Sequence, residues 1–400
     1  MNIKSILYPA SFLLLLSAGT NGQKPKQVAQ ANNAFAFDMY EKVAETNKGN
    51  IFFSPNSISN AFAMCYGGAS GSNEKEMAAA MHFAPNTPQF HKDFGAYNRL
   101  IEANADGNVK LSIANRLWGE QTYGFVEDYL TLVDDAYDAP LDRVDFKGSP
   151  DAQRSAINSW VEDNTNNKIK DLLPAGSVTT DTRLVLANAI YFKGDWLYQF
   201  DEKDTKKKKF TLKSDANVNA EYMCSRGSLS YYENDLFKRV VLPYKGNKQS
   251  MVLVLPHKTT ALEEVEKSMA NDGFQTLIIG SFPEVILELP KFEMTLPLPL
   301  NGIMNSLGMR EAFGQGADFS KMTTQNDIYI SSAIHKAFIK IDEKGTEAAA
   351  ATAIVMSTES VGPSQAPRPK EFKANRPFLF YIIDNETQAV LFMGRMMDPS

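Results

Sequence analysis

Asp342-Glu343-Lys344-Gly345-Thr346-Glu347-Ala348-Ala349-Ala350-Ala351-Thr352-Ala353 is the stretch on which the reading of this chain turns. An apolar run, Ala333-Ile334-His335-Lys336-Ala337-Phe338-Ile339-Lys340-Ile341, leads into it, and no proline follows until Pro363. Four alanines between polar residues suit a helical turn or an exposed loop. Neither explains why proline is held back so far. The strand period of two sorts the stretch into two faces. Thr346, Ala348, Ala350, Thr352, Ile354 and Met356 form one, uncharged and mostly small. Glu347, Ala349, Ala351, Ala353, Val355 and Ser357 form the other, which carries the only charge. A loop so patterned can become a central strand. A second apolar strand, Pro377-Phe378-Leu379-Phe380-Tyr381-Ile382-Ile383, comes after it.

These residues resemble the hinge and reactive loop of the serpins, protease inhibitors that act by inserting that loop into a sheet. Other stretches resemble the same family, in its order. Asn50-Ile51-Phe52-Phe53-Ser54-Pro55-Asn56-Ser57-Ile58 is similar to its buried turn and second helix. Leu186-Ala187-Asn188-Ala189-Ile190-Tyr191-Phe192-Lys193-Gly194-Asp195-Trp196 is similar to the third strand of its main sheet. Leu289-Pro290-Lys291-Phe292 and Leu391-Phe392-Met393-Gly394-Arg395 complete a likeness that spans nearly the whole chain after residue 22. Serpin loop insertion is an established instance of strand addition and of released strain. The mechanism therefore comes with the resemblance. The implied fold is α+β: one large central sheet, two smaller sheets, about nine helices and an exposed reactive loop at about 343–372.

Composition agrees with a single domain. Four hundred residues could make two by length, but no low-complexity linker or composition break divides them, and residues 23–400 read as one unit. A core of that size needs no disulfide staples. Acidic residues outnumber basic ones, 47 to 41, so no nucleic-acid partner is expected. Residues 1–22 read as a signal peptide: Lys4, then an apolar stretch through Leu13-Leu14-Leu15-Leu16 too short to span a bilayer, then small residues at Ser17, Gly19, Thr20 and Gly22. Leu16-Ser17-Ala18-Gly19 resembles a bacterial lipoprotein signal, but Thr20 stands where the lipidated cysteine would be. The protein is expected to be secreted, periplasmic or extracellular, with no membrane span. Cys65 lies in an apolar helical run and Cys224 among polar residues, and their spacing suits neither a zinc site nor a redox motif.

Along the chain, helical spacing marks 28–46, two helices within 54–83, and a helix opening at Ala156. Leu111–Trp118 reads as a strand, and strands are expected at 184–193, 236–243, 250–255, 284–292, 327–341, 377–383 and 389–395. Helices dominate early and strands late, an α+β pattern.

Enzyme chemistry finds no footing. Four histidines, His82, His91, His257 and His335, limit triad and metal sites. Gly67–Ser72 lacks the glycine spacing of a nucleophile elbow, and no phosphate-cradling loop or paired-histidine motif is present. No catalytic residue, metal ligand or cofactor is assigned. Lys206-Lys207-Lys208-Lys209 reads as a solvated edge rather than a polyanion site. Residues 84–110, where heparin-binding serpins gather basic groups, hold only Lys92, Arg99 and Lys110, so heparin is not an expected partner.

The resemblance implies further roles. Ser54, Ser57, Asn188 and His335 match a polar cluster where two strands part to admit the loop, although a lone histidine in an apolar strand is more often a satisfied core residue. Such a cluster must be fully hydrogen-bonded or it is costly. Trp196, Lys291 and Glu343 match the upper end of that opening, where the blander reading is a minor surface ion pair. Glu343, Gly345, Thr346, Glu347, Ala348, Ala349, Ala350, Ala351 and Thr352 form the hinge. Family spacing from Glu343 puts the scissile bond at Glu359-Ser360. Counting back from Phe372–Pro377 puts it near Ala366 instead. Inserted length must match the sheet, while slack after the cut is cheap, so Glu359 is preferred. Val355, Met356, Thr358 and Val361 are alternative positions suited to elastase-like enzymes. The implied partner is a serine or cysteine protease, held covalently by a monomer: the loop is attacked to give an acyl-enzyme. Inserting about fourteen residues at about 3.4 Å each then drags the protease roughly 48 Å. The competing reading is a non-inhibitory serpin serving as carrier, chaperone or storage protein. A bulky, charged or proline residue on the inward hinge face would favour it, and Thr346, Ala348, Ala350 and Thr352 do not.

Overall fold

The computed structural model describes residues 23–105, 107–272, 280–325, 327–346 and 368–400. Its main sheet sets the architecture. Strands β2 (Val109–Glu120), β4 (Leu184–Asp195) and β12 (Ile330–Ile341) form the long members, each of 12 residues. They are flanked by β3 (Asp142–Val144) and β11 (Phe292–Pro299) and joined by the two-residue β13 (Gly345–Thr346). The order is β11-β12-β13-β4-β2-β3.

Period two is visible in β4. Leu184 and Leu186 point into one core and Ile190 and Phe192 into a second on the same face, while Val185, Ala187, Ala189 and Tyr191 face the opposite way. Both faces are covered, which is why the strand reads as a nearly continuous apolar run instead of alternating. The outer layer is α6 (Pro150–Asn164), whose Ile157 and Val161 pack on Val185, Tyr191 and Phe338. This helix starts six residues before the Ala156 opening expected from spacing, with Pro150 at a first-turn position that needs no donor.

A second six-stranded sheet backs the first: β1 (Ile51–Phe53), β16 (Val390–Met396), β15 (Phe378–Asp384), β9 (Gln249–Pro256), β8 (Phe237–Pro243) and β7 (Ser230–Glu233), in that order. Phe192 of β4 meets Phe392 of β16 edge-on at 5.6 Å. The third sheet has four strands, β14 (Lys370–Lys373), β10 (Glu284–Pro290), β6 (Asn217–Ser228) and β5 (Lys206–Thr211). Lys206–Lys209 lie on β5, an edge strand as the sequence suggested, and the Lys208 ammonium pairs with Glu288 of β10 at 2.9 Å. The single strand expected at 284–292 is two strands of different sheets, broken at Lys291.

Eight α-helices occur among the described residues: α1 (Gln23–Thr46), α2 (Pro55–Gly68), α3 (Gly71–Met81), α4 (Pro88–Asn104), α5 (Glu127–Tyr137), α6, α7 (Leu262–Asp272) and α8 (Leu300–Ser306). Helix α2 matters most. Ser54 caps it by accepting from Ser57 N–H at 3.1 Å, Pro55 opens it, and all fourteen of its residues are buried. Its start lies directly beneath the junction of β4 and β12. No helix of the described residues is long and apolar enough to cross a membrane. Cys65 and Cys224 are free thiols, and burial pushes Cys65 up to about 12.

Candidate functional site at the parted strands

Strands β4 and β12 run parallel. They are direct neighbours from Ile330↔Leu184 to Phe338↔Tyr191, with one irregularity near Ser332. Above that point they part, and the gap is filled by β13, antiparallel to both: Thr346 faces Ile341 on one side and Gly194 on the other. The first residues of the expected hinge, Gly345 and Thr346, therefore lie inside the sheet.

Residues 342–346 are fixed by several independent bonds. Asp342 and Gly345 exchange backbone bonds of 2.9 and 3.3 Å, closing a tight turn at the end of β12. The Trp196 indole donates to Asp342 O at 3.0 Å, Trp196 N–H to Lys344 O at 2.9 Å, and Phe200 N–H to Glu343 O at 2.9 Å. The Glu343 carboxylate accepts from the Thr205 hydroxyl at 2.6 Å and from Lys291 at 3.0 Å, with Glu221 a further 3.7 Å partner of that lysine. Burial pushes the Glu343 carboxyl up. The Thr205 hydroxyl, a backbone donor and Lys291 outweigh that and hold it below the usual carboxylate range. Trp196, Lys291 and Glu343, which the resemblance placed together, all lie at this turn.

The seat of Thr346 is a feature that sequence reasoning missed. Its side chain is fully buried, and its hydroxyl lies 2.7 Å from that of Tyr244. Tyr244 stacks on Trp196 at 4.8 Å with the rings 12° apart, and meets Phe192 edge-on at 5.1 Å. Two glycines make room. A Cβ on Gly194 would stand 2.8 Å from the Tyr244 ring, and one on Gly345 would overlap Gly194 O and stand 2.7 Å from Asp195 Cα. Nothing around Tyr244 in the sequence signals a partner 102 residues away.

Farther down, the four expected cluster residues meet, with a fifth. Asn115, Asn188 and His335 are register partners across β2, β4 and β12, so they form one polar row crossing the sheet. Ser54 and Ser57, at the start of α2, close it from below. Ser54 N–H donates to His335 Nε2 at 3.1 Å, so the proton sits on Nδ1 and goes to Asn188 Oδ1. Asn188 Nδ2 reaches Ser57 O and Oγ, both at 2.8 Å, and Asn115 Oδ1. Ser57 Oγ donates to Asn115 Oδ1 at 3.1 Å, and Ser54 Oγ to Leu391 O at 2.6 Å. Asn115 had a readable signal: it interrupts the apolar row Leu111, Ile113, Leu117 on one strand face. Glu347–Thr352 of the hinge and the scissile candidates Val355, Met356, Thr358, Glu359, Ser360 and Val361 lie outside the described residues.

This geometry has two measurable outcomes. Gly345→Ala should displace Thr346 from the gap, because the clashing atoms are backbone and cannot swing away. The measurement is tryptophan fluorescence, since losing the hinge turn alters the surroundings of Trp196. An unchanged spectrum and an unchanged thermal midpoint would show that the seat tolerates a methyl group. The second outcome concerns pH. Burial lowers His335 to about 3 from an ordinary 6.5, so between those values the unfolded chain takes up a proton that the folded chain refuses. Stability is then full above about 6.5 and falls as the solution is acidified. His335→Gln, which cannot titrate, should melt lower than wild type at pH 7, by about 1–3 kcal/mol for the broken network. That difference should narrow toward pH 4, and a constant gap would sink the argument.

Comparison with known proteins agrees with this architecture. A family model described as "Serpin (serine protease inhibitor)" matches residues 30–399. The chain is 40% identical over 379 residues to an uncharacterized serpin-like protein of Methanosarcina acetivorans, covering 93% of this chain and 88% of that one. It is 37% identical over 383 residues to a leukocyte elastase inhibitor of Xenopus tropicalis, covering 94% and 100%. Among solved structures, Serpin48 of the insect Tenebrio molitor superposes with a TM-score of 0.83 at 28% identity, covering 94% of this chain and 99% of that one. A model match over nearly the whole length, together with a relative 40% identical over 93% of this chain, places this chain in the serpin family.

Proposed function

We propose that the protein is an irreversible suicide-substrate inhibitor of serine or cysteine proteases. The loop is offered as substrate, the protease nucleophile forms an acyl-enzyme, and the freed N-terminal part of the loop enters the main sheet before water can complete hydrolysis. Metallo- and aspartic proteases form no acyl-enzyme and fall outside its range. One observation carries the reading: Gly345 and Thr346 are paired as β13 between β4 and β12. A strand continuing in that direction would be antiparallel to both neighbours, so one parallel ladder would be exchanged for two antiparallel ones, the slightly stronger kind. The small, uncharged inward face of Thr346, Ala348, Ala350 and Thr352 supports the same outcome. A relative named as an elastase inhibitor is consistent with it. We further propose that residues 1–22 are a secretory leader and that the mature protein works outside the cytoplasm as a monomer, secreted, periplasmic or extracellular.

Incubation with a panel of serine and cysteine proteases tests the reading. Wild type should give an SDS-stable adduct with at least one of them. Thr346→Arg and Ala350→Pro should still be cleaved but accumulate no adduct, because Arg would bury an unpaired charge and Pro would remove a ladder donor from a central strand. Equal trapping by both variants rules insertion out.

Sequencing the cleaved loop from the same adducts locates the bond. The expected cut is Glu359-Ser360, so Glu359→Ala should slow trapping by a glutamate-preferring protease at least tenfold. Adducts mapping to Val355, Met356, Thr358 or Val361 at unchanged rates would move the site and leave the inhibitor reading standing.

A further inference from the structure

Two large hydrophobic side chains stand open to solvent among the described residues, Tyr198 at 60% and Phe282 at 72% exposure. A single exposed aromatic needs no explanation, but the placement of these two does. Tyr198 belongs to the segment that holds the start of the hinge. Its neighbour Gln199 donates to Lys344 O at 3.3 Å, and Phe200 N–H donates to Glu343 O at 2.9 Å. Phe282 belongs to the other foot of the loop. It stands two residues before β10, whose Val285 is the register partner of Lys370, the first residue of β14. Adjacent Ser281 pairs with Tyr231, and the Lys370 ammonium lies 5.5 Å from the centre of that tyrosine ring. One exposed ring therefore stands where the chain leaves for residues 347–367, and the other where it returns.

Both are presented on held backbone. Ser228 Oγ donates to Phe282 O at 3.0 Å and Leu229 N–H to Pro283 O at 3.3 Å, while Trp196 and Phe200 bracket Tyr198 with buried rings. Beside Phe282, Arg226 and Glu284 form an exposed two-pronged pair at 2.8 and 2.9 Å. An apolar centre with a charged rim is the ordinary anatomy of a protein interface.

Building on the inhibitor reading, we propose that Tyr198 and Phe282 are body contacts for the attacking protease, a docking surface outside the loop that takes part in selecting it. The partner is a serine or cysteine protease seated with its cleft on the loop, so that opposite rims of the cleft settle on the two rings. The area argument favours that occupant. A specific protease complex buries about 800 Å² per partner, on the order of 20–30 residues a side. Residues 347–367 alone are 21 residues, at the lower end of that range, and the surface at the two feet of the loop, where the rings stand, would extend the contact. Aromatic side chains are enriched in such interfaces and are frequent hot spots.

The test compares full-length wild type with Tyr198→Ser, Phe282→Ser and the double variant, using the protease that wild type traps fastest. Each single substitution should slow the second-order rate of adduct formation about threefold to tenfold, and the double by roughly the product, as for distant independent sites. Thermal midpoints and the number of inhibitor molecules consumed per protease should stay at wild-type values. Tyr198→Phe and Phe282→Tyr, which keep the rings, should restore the rate. A double variant that traps as fast as wild type overturns the docking surface and leaves the inhibitor reading intact. A wild type that traps no protease at all overturns the inhibitor reading, and the docking surface with it.

Discussion

The seam between β4 and β12 is the constraint on which the rest of the molecule depends. Two long parallel strands are zipped from Leu184 to Tyr191 and held apart above by a single inserted threonine. A fully buried sheet normally closes every neighbouring pair, because an unpaired backbone group away from water is costly. Here Gly345 and Thr346 supply ladder partners to Ile341, Gly194 and Asp195 at the upper ends. Any further strand must enter along the same line, and it must break each β4–β12 pair before it can form two new ones. On the proposed mechanism, that sequence of loss before gain would be a barrier to insertion.

Three layers contribute to the barrier, and each has a different physics. The first is the ladder itself, a set of neutral backbone bonds. The second is the polar row Asn115–Asn188–His335, where separating β4 from β12 breaks the bond between the fully buried Asn188 and His335. The third is the apolar cover of α6, which rests on Val185, Tyr191 and Phe338 from the two sides of the seam. Lys336 of β12 adds a tie on that outer face, its ammonium bonded to Lys170 O at 2.7 Å in the segment after α6. Opening the seam disturbs the row on one face and the helix layer on the other at the same residues.

Much of this was legible in the sequence, for identifiable reasons. Strand β4 announces itself because both its faces are covered, so Leu184–Phe192 is apolar almost throughout, whereas β12 mixes apolar residues with Ser331, Ser332, His335, Lys336 and Lys340. The cluster residues Ser54, Ser57, Asn188 and His335 carry no local signal of meeting, and only a family resemblance assembles them. Asn115 could have been added from its strand face alone. Lys291 shows the opposite failure: an apolar run on either side concealed a change of sheet, which a lysine between Pro290 and Phe292 in fact marks. Helices α4, α5 and α7 escaped because polar outer faces dilute their spacing. Tyr244 could not be found by any local rule, since its role exists only once the hinge has returned to lie against it.

The hinge is held by two kinds of bond that respond differently to surroundings. Glu343 is tied by an ion pair to Lys291, whose side chain is 31% exposed, and by the Thr205 hydroxyl. Salt screens the ionic part, and acid removes it once the carboxylate is protonated. Thr346 is tied by a neutral hydroxyl pair with Tyr244 in a buried aromatic seat, and burial pushes that phenol well above its ordinary range. Neither salt nor acid touches the second tie. Weakening the first alone loosens the turn that Glu343 occupies while Thr346 stays between the strands. Weakening the second alone would leave the buried Thr346 hydroxyl without its Tyr244 partner while the backbone pairing of β13 remained. The place of Thr346 between the strands is therefore held by the buried tie, and the turn that leads into it by the exposed one.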